Sequence, residues 1–402
     1  MLNYTKKYNK LVLYLFCHCL FVTASFANPL NFDSRAPQID FTHLIDTKRQ
    51  LSNPNVNAIE QDSQGFIWIG TQDGLNRFDG LTTRQYTSIR GDETSLVANY
   101  INAIYEDSEG RLWVASKQGI NLYLAENDSF TVITDTDEVS GRDYISIAES
   151  AKGIMWFGSQ DKGLLRYDTN LATFQTFIAD EDVPASLSDN RTRAVFVDSQ
   201  QRLWIATDGG GLNLKLANQD GFLHFSTTSD IAIPSNKIQS IYEDKSGNIW
   251  VGSYDAGVFV FNPTSGVKVH YQHNSQKPDS LCANKVNNIL EDNQGRIWLA
   301  TEQGLCELQA KSQTFIRHSH DNGRTSSLVS DGVNSLLQDA GGVMWVGTYG
   351  GVSRWNADLN RFSLVSQSFG IGKNLASNVI VSFAQDSDEN LYIGTWGGGL
   401  SQ

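Results

Sequence analysis

Apolar residues in this chain recur in short runs of four to six, separated by Asp, Asn, Ser and Gly. The run Phe66-Ile67-Trp68-Ile69 is one of them, and turn-forming residues follow it at Gln72-Asp73-Gly74. Helical spacing, in which apolar residues return every three to four positions, is absent, and the runs are rich in Ile, Val, Trp and Phe. The pattern therefore predicts short β-strands and an all-β fold.

A repeat organises these runs. The unit from Val56 to Ser88 reads VNAIEQD, FIWIGT, LNRFDG and TTRQYTS, which are four predicted strands joined by the turns SQG and QDG. Its aromatic centre returns at steps of 43 to 48 residues, at Trp68, Trp113, Trp156, Trp204, Trp250, Trp298, Trp345 and Tyr392. Four strands at this period predict a β-propeller of four-stranded blades, spanning residues 41–402.

The number of blades has two solutions. Seven units close one ring, and the incomplete eighth unit then opens a second propeller. Phe41 to Ile45 resemble a fourth strand without its first three, and such a strand can complete the last blade and fasten the ring. The alternative is an eight-bladed ring in which this segment supplies the strand that the eighth unit lacks.

The recurring polar residues have structural explanations. An Asp stands six positions before the aromatic in seven copies, with Ser150 as the exception, and a Gly stands three before it in six, with Gln201 and Glu389 departing. Asp and Gly at this spacing predict a tight turn in which the carboxylate caps backbone N–H groups. The Gly or Ala that follows the aromatic by two positions allows neighbouring blades to approach. The repeated aspartates are therefore not an acid–base set.

The first 27 residues are typical of a secretory signal. Lys6, Lys7 and Lys10 precede an apolar run from Leu11 to Val22, and Ser25-Phe26-Ala27 offers a cleavage site. An uncleaved anchor is the alternative, but a run of about a dozen residues is short for a bilayer. We expect a signal peptide at 1–27, a linker at 28–40 and a periplasmic location.

The net charge and the cysteines bear on which partners and cofactors the protein can have. The formal net charge of −13 disfavours nucleic acid as a partner. Beyond the signal, Cys282 and Cys306 remain, and they can pair in an oxidising compartment. Their spacing matches no metal or redox motif, and two separate buried thiols are the favoured expectation. We expect no metal and no cofactor.

The motif Gly-x-Ile/Leu-Trp-x-Gly-Thr-x-x-Gly-Leu recurs in nearly every unit, with Ser-Leu-x-x-Asn before the first strand. Copies are SLVANYINAIYEDSEGRLWVASKQGI and SLCANKVNNILEDNQGRIWLATEQGL. The sequence resembles the two-component regulator propeller family. The resemblance implies the periplasmic ligand-sensing ectodomain of a receptor whose output is a histidine kinase or a diguanylate cyclase, signalling as a dimer. With no output segment in these 402 residues, we expect a truncated chain, attached to a membrane only through missing downstream segments.

The turns between second and third strands share one end of such a ring with the blade connections. They are polar, variable and partly aromatic, which suits a small polar ligand, such as one derived from carbohydrate. The candidate ligand-binding residues are Asp208, Tyr254, Asp255, Glu302, Tyr349 and Trp396.

Two other functions are open at this stage. A free secreted binding or scaffold module shares the fold. A propeller hydrolase or lyase needs an arginine cluster or an axial His with an acid, whereas the His residues fall in predicted outer strands and connections. We expect no catalytic residue.

Overall fold

The computed structural model describes residues 39–44, 51–133, 141–216, 221–356, 375, 377–387 and 391–401. Residues 39 to 359 belong to one unit, and the described residues from 375 onward belong to another. The predicted signal at 1–27 lies outside the described residues, and so does the linker at 28–40 except for its last two positions. Within the described part, no helix is long and apolar enough to cross a bilayer.

Seven antiparallel four-stranded sheets form the blades of the first unit. The first three blades are β2 (Val56–Gln61), β3 (Ile67–Thr71), β4 (Gly74–Phe78) and β5 (Thr83–Tyr86); β6 (Ile101–Glu106), β7 (Leu112–Ser116), β8 (Gly119–Leu124) and β9 (Ser129–Ile133); and β10 (Tyr144–Ala151), β11 (Ile154–Ser159), β12 (Leu164–Asp168) and β13 (Thr173–Phe177). The fourth and fifth are β14 (Thr192–Val197), β15 (Leu203–Thr207), β16 (Leu212–Lys215) and β17 (Leu223–Phe225); and β18 (Ile238–Glu243), β19 (Ile249–Ser253), β20 (Val258–Asn262) and β21 (Gly266–Tyr271).

The last two blades complete the ring. The sixth is β22 (Val286–Glu291), β23 (Ile297–Thr301), β24 (Gly304–Gln309) and β25 (Thr314–His318), and the seventh is β26 (Val333–Gln338), β27 (Val343–Thr348) and β28 (Gly351–Asn356) with β1 (Thr42–Leu44). First strands of successive blades contact each other, and β26 contacts β2. The first strands therefore surround the axis of a closed seven-bladed propeller.

The N-terminal strand closes the ring, as the sequence predicts. β1 pairs with β28 of the seventh copy, from Thr42 opposite Arg354 to Leu44 opposite Val352. The seventh and first blades are also joined by Asn334 Nδ2, which donates to the Val56 carbonyl at 3.0 Å. Because β1 completes the seventh blade and not the eighth copy, the eight-bladed alternative is wrong.

The eighth copy belongs to the second unit. It forms a three-stranded sheet of β29 (Ile380–Gln385), β30 (Leu391–Thr395) and β31 (Gly399–Ser401). Every residue of β29 is exposed, including Val381 and Phe383. This sheet therefore presents apolar side chains that the described residues do not cover.

The predicted tight turn at the repeated Asp and Gly is confirmed, and its Asp also accepts a hydrogen bond from the Trp of the same blade. Asp62 Oδ1 accepts from the backbone N–H groups of Gln64 and Phe66, and Oδ2 accepts from the Trp68 indole N–H at 2.7 Å. The aspartates of the second and of the fourth to seventh blades hold their Trp indoles in the same way. The Asp thus anchors the turn and the Trp that fills the space between blades.

The small residue after the Trp has the predicted packing role. A Cβ at Gly70 would lie 2.7 Å from Ile101 Cγ2 of the second blade, and one at Gly347 would lie 2.7 Å from Val56 Cγ1 of the first. Neighbouring sheets approach at these positions too closely for a larger side chain.

Cys282 and Cys306 form a disulfide, so the expectation of two separate thiols is wrong. Cys306 lies on β24 and Cys282 lies in the connection that precedes β22, and both are fully buried. Residues 24 apart in sequence meet because the connection crosses the sheet of its own blade. A disulfide persists in an oxidising compartment, which is consistent with export.

We expect the double substitution of Cys282 and Cys306 by Ser to lower the free energy of unfolding by about 3 kcal/mol, because the bond restricts the unfolded chain. Chemical denaturation of the two proteins measures this difference. The same loss on reduction of wild-type protein, with no effect of reductant on the variant, is expected. Equal stability of the oxidised wild type and the variant would contradict the assignment.

Candidate ligand site at the axial mouth

The second-to-third turns lie beside the starts of the first strands, at one end of the ring. Asp208 donates its backbone N–H to the Arg191 carbonyl at 2.9 Å, and Tyr254 donates to Lys237 at 2.8 Å. We call this surface the axial mouth. Its polar and aromatic residues include Tyr100, Lys117, Asp143, Gln160, Arg193, Asp208, Lys237, Tyr254, Lys285 and Tyr349.

Arg193 links two blades at the mouth. Its guanidinium donates to Gln160 Oε1 of the third blade at 2.9 Å and to Asp208 Oδ2 of its own blade at 2.7 Å. The ion pair is partly buried, with 27% of the Arg193 side chain and 19% of the Asp208 side chain exposed. The Nε atom of Arg193 is buried without a hydrogen-bond partner. The two hydrogen bonds therefore hold the guanidinium in one orientation, while part of the side chain stays exposed.

Tyr254 lies between two cations. The ammonium groups of Lys237 and Lys285 are 5.7 Å and 5.3 Å from its ring centre, within the range of cation–π attraction. Lys237 also forms a β-bridge with Asp208, so the fourth and fifth blades meet there. With 49% of its surface exposed, Tyr254 is accessible from solvent.

The neighbouring part of the mouth, on the second and third blades, carries Asp143, Lys117 and Tyr100. Asp143 accepts from Asn102 Nδ2 at 2.7 Å, and burial raises the pKa of its carboxyl despite that hydrogen bond. The Lys117 ammonium lies 3.9 Å from the ring centre of Tyr100, whose phenol pKa is raised by burial. Cations, carboxylates and aromatic rings thus alternate around the axis.

The structure places the predicted ligand residues as follows. Asp208 and Tyr254 share Lys237 as a neighbour. Asp255 is exposed and accepts from Ser235 Oγ at 2.6 Å, and Glu302 is exposed on the equivalent turn of the sixth blade. Tyr349 lies against the backbone of Gly332, where an added Cβ would be 2.1 Å from its Cδ2 atom. Trp396 lies in the second unit, with 75% of its surface exposed.

Sequence reasoning did not find Arg193. The second residue of the first strand is Asn in four blades, and its side-chain amide donates to the carbonyl of the next blade's first strand, as Asn57 does to Ile101 at 2.8 Å. Asn102, Asn287 and Asn334 do the same. Arg193 occupies this position in the fourth blade. Arg193 could have been identified from the sequence because it places a cation at a position where four other blades have Asn.

The Asn of the Ser-Leu-x-x-Asn connections is structural. Asn99 Oδ1 accepts from the Ser88 backbone, and its carbonyl accepts from Gly74. Asn190 and Asn284 form the same pair of bonds. These side chains therefore hold the connections between blades in place.

The His residues do not meet at the axis. The strands β1, β17, β21 and β25 carry His43, His224, His270 and His318, and all four are fourth strands of their blades. Each of these rings makes a hydrogen bond to a neighbouring segment. Over the described ranges, no group of His, Cys, Asp and Glu is arranged to hold a metal ion.

Known proteins with similar sequences or structures are also β-propellers. The "Two component regulator propeller" family model matches seven segments, at residues 50–73, 95–118, 186–209, 232–255, 280–303, 327–350 and 374–397. The extracellular domain of BT3049 from B. thetaiotaomicron, assigned to the hybrid two component systems, is 25% identical with a TM-score of 0.68, over 90% of this chain and 53% of that one. The chain therefore spans about half of that domain.

Two further proteins are similar over a shorter segment or in fold alone. Histidine kinase P4 from Formosa agariphila is 30% identical over 132 residues, which are 32% of this chain and 10% of that protein. Virginiamycin B lyase from Staphylococcus aureus is 11% identical with a TM-score of 0.57, over 79% of this chain and 98% of that one. The lyase shares the fold alone, whereas the other matches support a sensor propeller of the extracytoplasmic type.

Proposed function

Seven repeats of this chain belong to the two component regulator propeller family, and we propose on that premise that the chain is the ligand-sensing part of a periplasmic receptor. The ligand is a small polar molecule derived from carbohydrate, and it binds at the axial mouth. The receptor's output is a histidine kinase, as in the relative from Formosa agariphila, and it signals as a homodimer.

The observation that carries this proposal is the state of Arg193. Its ion pair with Asp208 orients the guanidinium, and 27% of its side chain stays exposed. A guanidinium has five N–H donors, so the exposed part of this side chain has further Nη donors for a ligand oxygen beyond those that bind Gln160 and Asp208. Tyr254 lies on the adjacent fifth blade, where Lys237 contacts both Asp208 and Tyr254, and its half-exposed ring suits the apolar face of a sugar ring.

Two further observations support the cellular context. The disulfide between Cys282 and Cys306 suits an exported protein. The exposed apolar residues of β29 suit a sheet that packs against further blades, because propeller sheets bury both faces. We therefore assign β29 to β31 to a second propeller of the same receptor.

The proposal is tested by ligand binding. A panel of neutral and acidic oligosaccharides is screened by the thermal unfolding midpoint of the chain, and the affinities of those that raise it are measured by calorimetry. We expect Tyr254→Ala and Arg193→Gln to weaken binding at least about tenfold, which corresponds to about 1.4 kcal/mol. Lys268→Ala, on the outer strand of the same blade as Tyr254, is the matched control and should bind as wild type.

A scaffold function or a catalytic function makes different predictions. If no member of the panel raises the midpoint, or if Tyr254→Ala binds as tightly as the wild type, the axial site is wrong. Conversion of an oligosaccharide during the titration would identify an enzyme.

A further inference from the structure

One residue of each blade connection stands directly before the first strand, at the rim of the axial mouth. In the first to fifth and the seventh blades, its carbonyl accepts a backbone hydrogen bond from the second-to-third turn of the same blade. We call this the rim position. Its occupants, from the first blade to the seventh, are Asn55, Tyr100, Asp143, Arg191, Lys237, Lys285 and Gly332. The fourth, fifth and sixth blades therefore place cations at three successive rim positions.

The three rim cations differ in their partners. Arg191 forms an ion pair with Asp189 of the same connection, at 2.8 Å. Lys237 and Lys285 instead contact the ring of Tyr254, and neither forms an ion pair with a described carboxylate. Both connections that carry these lysines are described without a gap. Two ammonium groups at the mouth therefore have no counter-charge in contact among the described residues.

The carboxylates of the neighbouring turns are engaged elsewhere or form no ion pair. Asp255 accepts a hydrogen bond from Ser235 Oγ at 2.6 Å, and Asp208 forms its ion pair with Arg193. Glu302 is exposed, and no ion pair with a described cation includes it. The turns of the fourth to sixth blades thus do not neutralise the two lysines by contact.

The two ammonium groups share one aromatic ring. They lie 5.7 Å and 5.3 Å from the ring centre of Tyr254, so their like charges are close enough to repel each other. Lys285 is also partly buried, which removes part of the hydration of its charge. An anionic group between the two lysines would relieve this repulsion and accept charge-assisted hydrogen bonds from both.

The backbone that carries each lysine is fixed. The backbone N–H of Lys237 donates to Ser235 Oγ at 2.9 Å. Asn284, directly before Lys285, accepts a hydrogen bond at its carbonyl from the Gly257 backbone of the fifth blade, at 2.9 Å. Little backbone freedom is therefore lost when a ligand binds between the lysines, which favours affinity.

The connection of the sixth blade is also held covalently. In the first, second and fourth blades, an Asn of the third strand accepts a backbone hydrogen bond from the connection, as Asn76 Oδ1 does from Ser52 at 2.8 Å. Cys306 takes the equivalent position in the sixth blade and forms the disulfide with Cys282, three residues before Lys285. The segment that carries this lysine is thus fixed by a covalent bond where other blades use a hydrogen bond.

We propose that the ligand of the axial mouth is an acidic sugar, whose carboxylate or sulfate group binds between Lys237 and Lys285. This inference rests on the proposed function, because it takes the mouth as the ligand site. The sugar ring packs on Tyr254, and the acidic group beside it pairs with the two ammonium groups. The fifth and sixth blades then select the charge of the ligand.

The test is isothermal titration with matched pairs of sugars. Digalacturonate is compared with its methyl ester, and galactose 6-sulfate with galactose, so that carboxylate and sulfate are tested separately. We expect at least one acid to bind at least about tenfold more tightly than its neutral counterpart, with a preference that decreases as the salt concentration rises.

Substitution of the lysines tests the position of the acidic group. Lys237→Gln and Lys285→Gln should each raise the Kd of the acid at least about fivefold and leave the Kd of the neutral counterpart unchanged. Lys277→Gln removes the same charge from the connection that carries Lys285, and it is the matched control. This variant should bind the acid as the wild type does.

Three results would overturn the inference. Equal affinity for the acids and their neutral counterparts, with binding that Tyr254→Ala still weakens, would overturn it and leave the axial site intact. An acid preference that survives both lysine substitutions would show that the acidic group binds elsewhere. Binding of none of the four sugars would also overturn it, and the wider oligosaccharide panel then tests the proposed function separately.

Discussion

Replacement of Trp204 by Ala is expected to lower the free energy of unfolding by about 3 to 5 kcal/mol. Trp204 is fully buried between the fourth and fifth blades, with the Phe261 ring centre 6.2 Å from its own. Truncation leaves a cavity that rigid neighbouring sheets cannot close. It also removes the indole donor from Asp198 Oδ2, 2.7 Å away, and leaves that carboxylate with fewer partners.

Trp396→Ala is the control of the same residue type. Its side chain is 75% exposed, so its removal should change stability by no more than about 0.5 kcal/mol. Denaturant unfolding followed by circular dichroism measures both variants. Similar losses in the two would show that Trp204 is not the packing residue that the ring requires.

Glu60→Gln is expected to stabilise the protein in mild base. Burial, with a smaller contribution from the Glu106 carboxylate, raises the pKa of Glu60 from 4.5 to about 8. Glu60 lies opposite Trp68 in the first blade, at a register position where the second and sixth blades place Tyr105 and Leu290. A carboxylate there has lost much of its hydration.

The raised pKa fixes the direction of the pH dependence. Between about pH 4.5 and 8 the folded protein retains a proton that the unfolded chain has released. Below that window Glu60 costs no free energy of unfolding. As the pH rises through the window, ionisation of Glu60 lowers the free energy of unfolding by up to about 4 kcal/mol. Glu60→Gln removes this loss.

The difference between wild type and variant isolates Glu60 from other titrating groups. The free energy of unfolding is measured for both proteins at pH 5 and pH 8. The variant's free energy relative to that of the wild type should be higher at pH 8 than at pH 5, by up to about 4 kcal/mol. Glu93→Gln, at an exposed carboxylate of the second blade connection, should show no such gain. A constant difference between wild type and Glu60→Gln across the two pH values would contradict the assignment.

The architecture was predictable because the repeat fixes it locally. Asp62, Gly65 and Trp68 act within one hairpin, and their spacing alone indicates the turn. The closing strand was also predictable, since Phe41 to Ile45 resemble a fourth strand with no partners nearby in sequence. Thr42 to Leu44 form that strand, and Ile45 lies outside the described residues.

Features that join distant segments were not predictable from spacing. The pairing of Cys282 with Cys306 depends on a connection that crosses its own sheet. The choice of seven blades depends on which sheet accepts β1. At the candidate site, Asp208 and Tyr254 were found from their turn positions. Arg193 required knowledge of what an amide at the same position does in other blades.

Amide hydrogen exchange, with and without the oligosaccharide that binds most tightly, tests the central claim most directly. The account predicts slower exchange on binding in the segments around Arg193, Asp208 and Tyr254, and unchanged exchange in the outer strands β17 and β21. Protection confined to those outer strands, with the axial mouth unaffected, would contradict a sensor that binds its ligand at the axis.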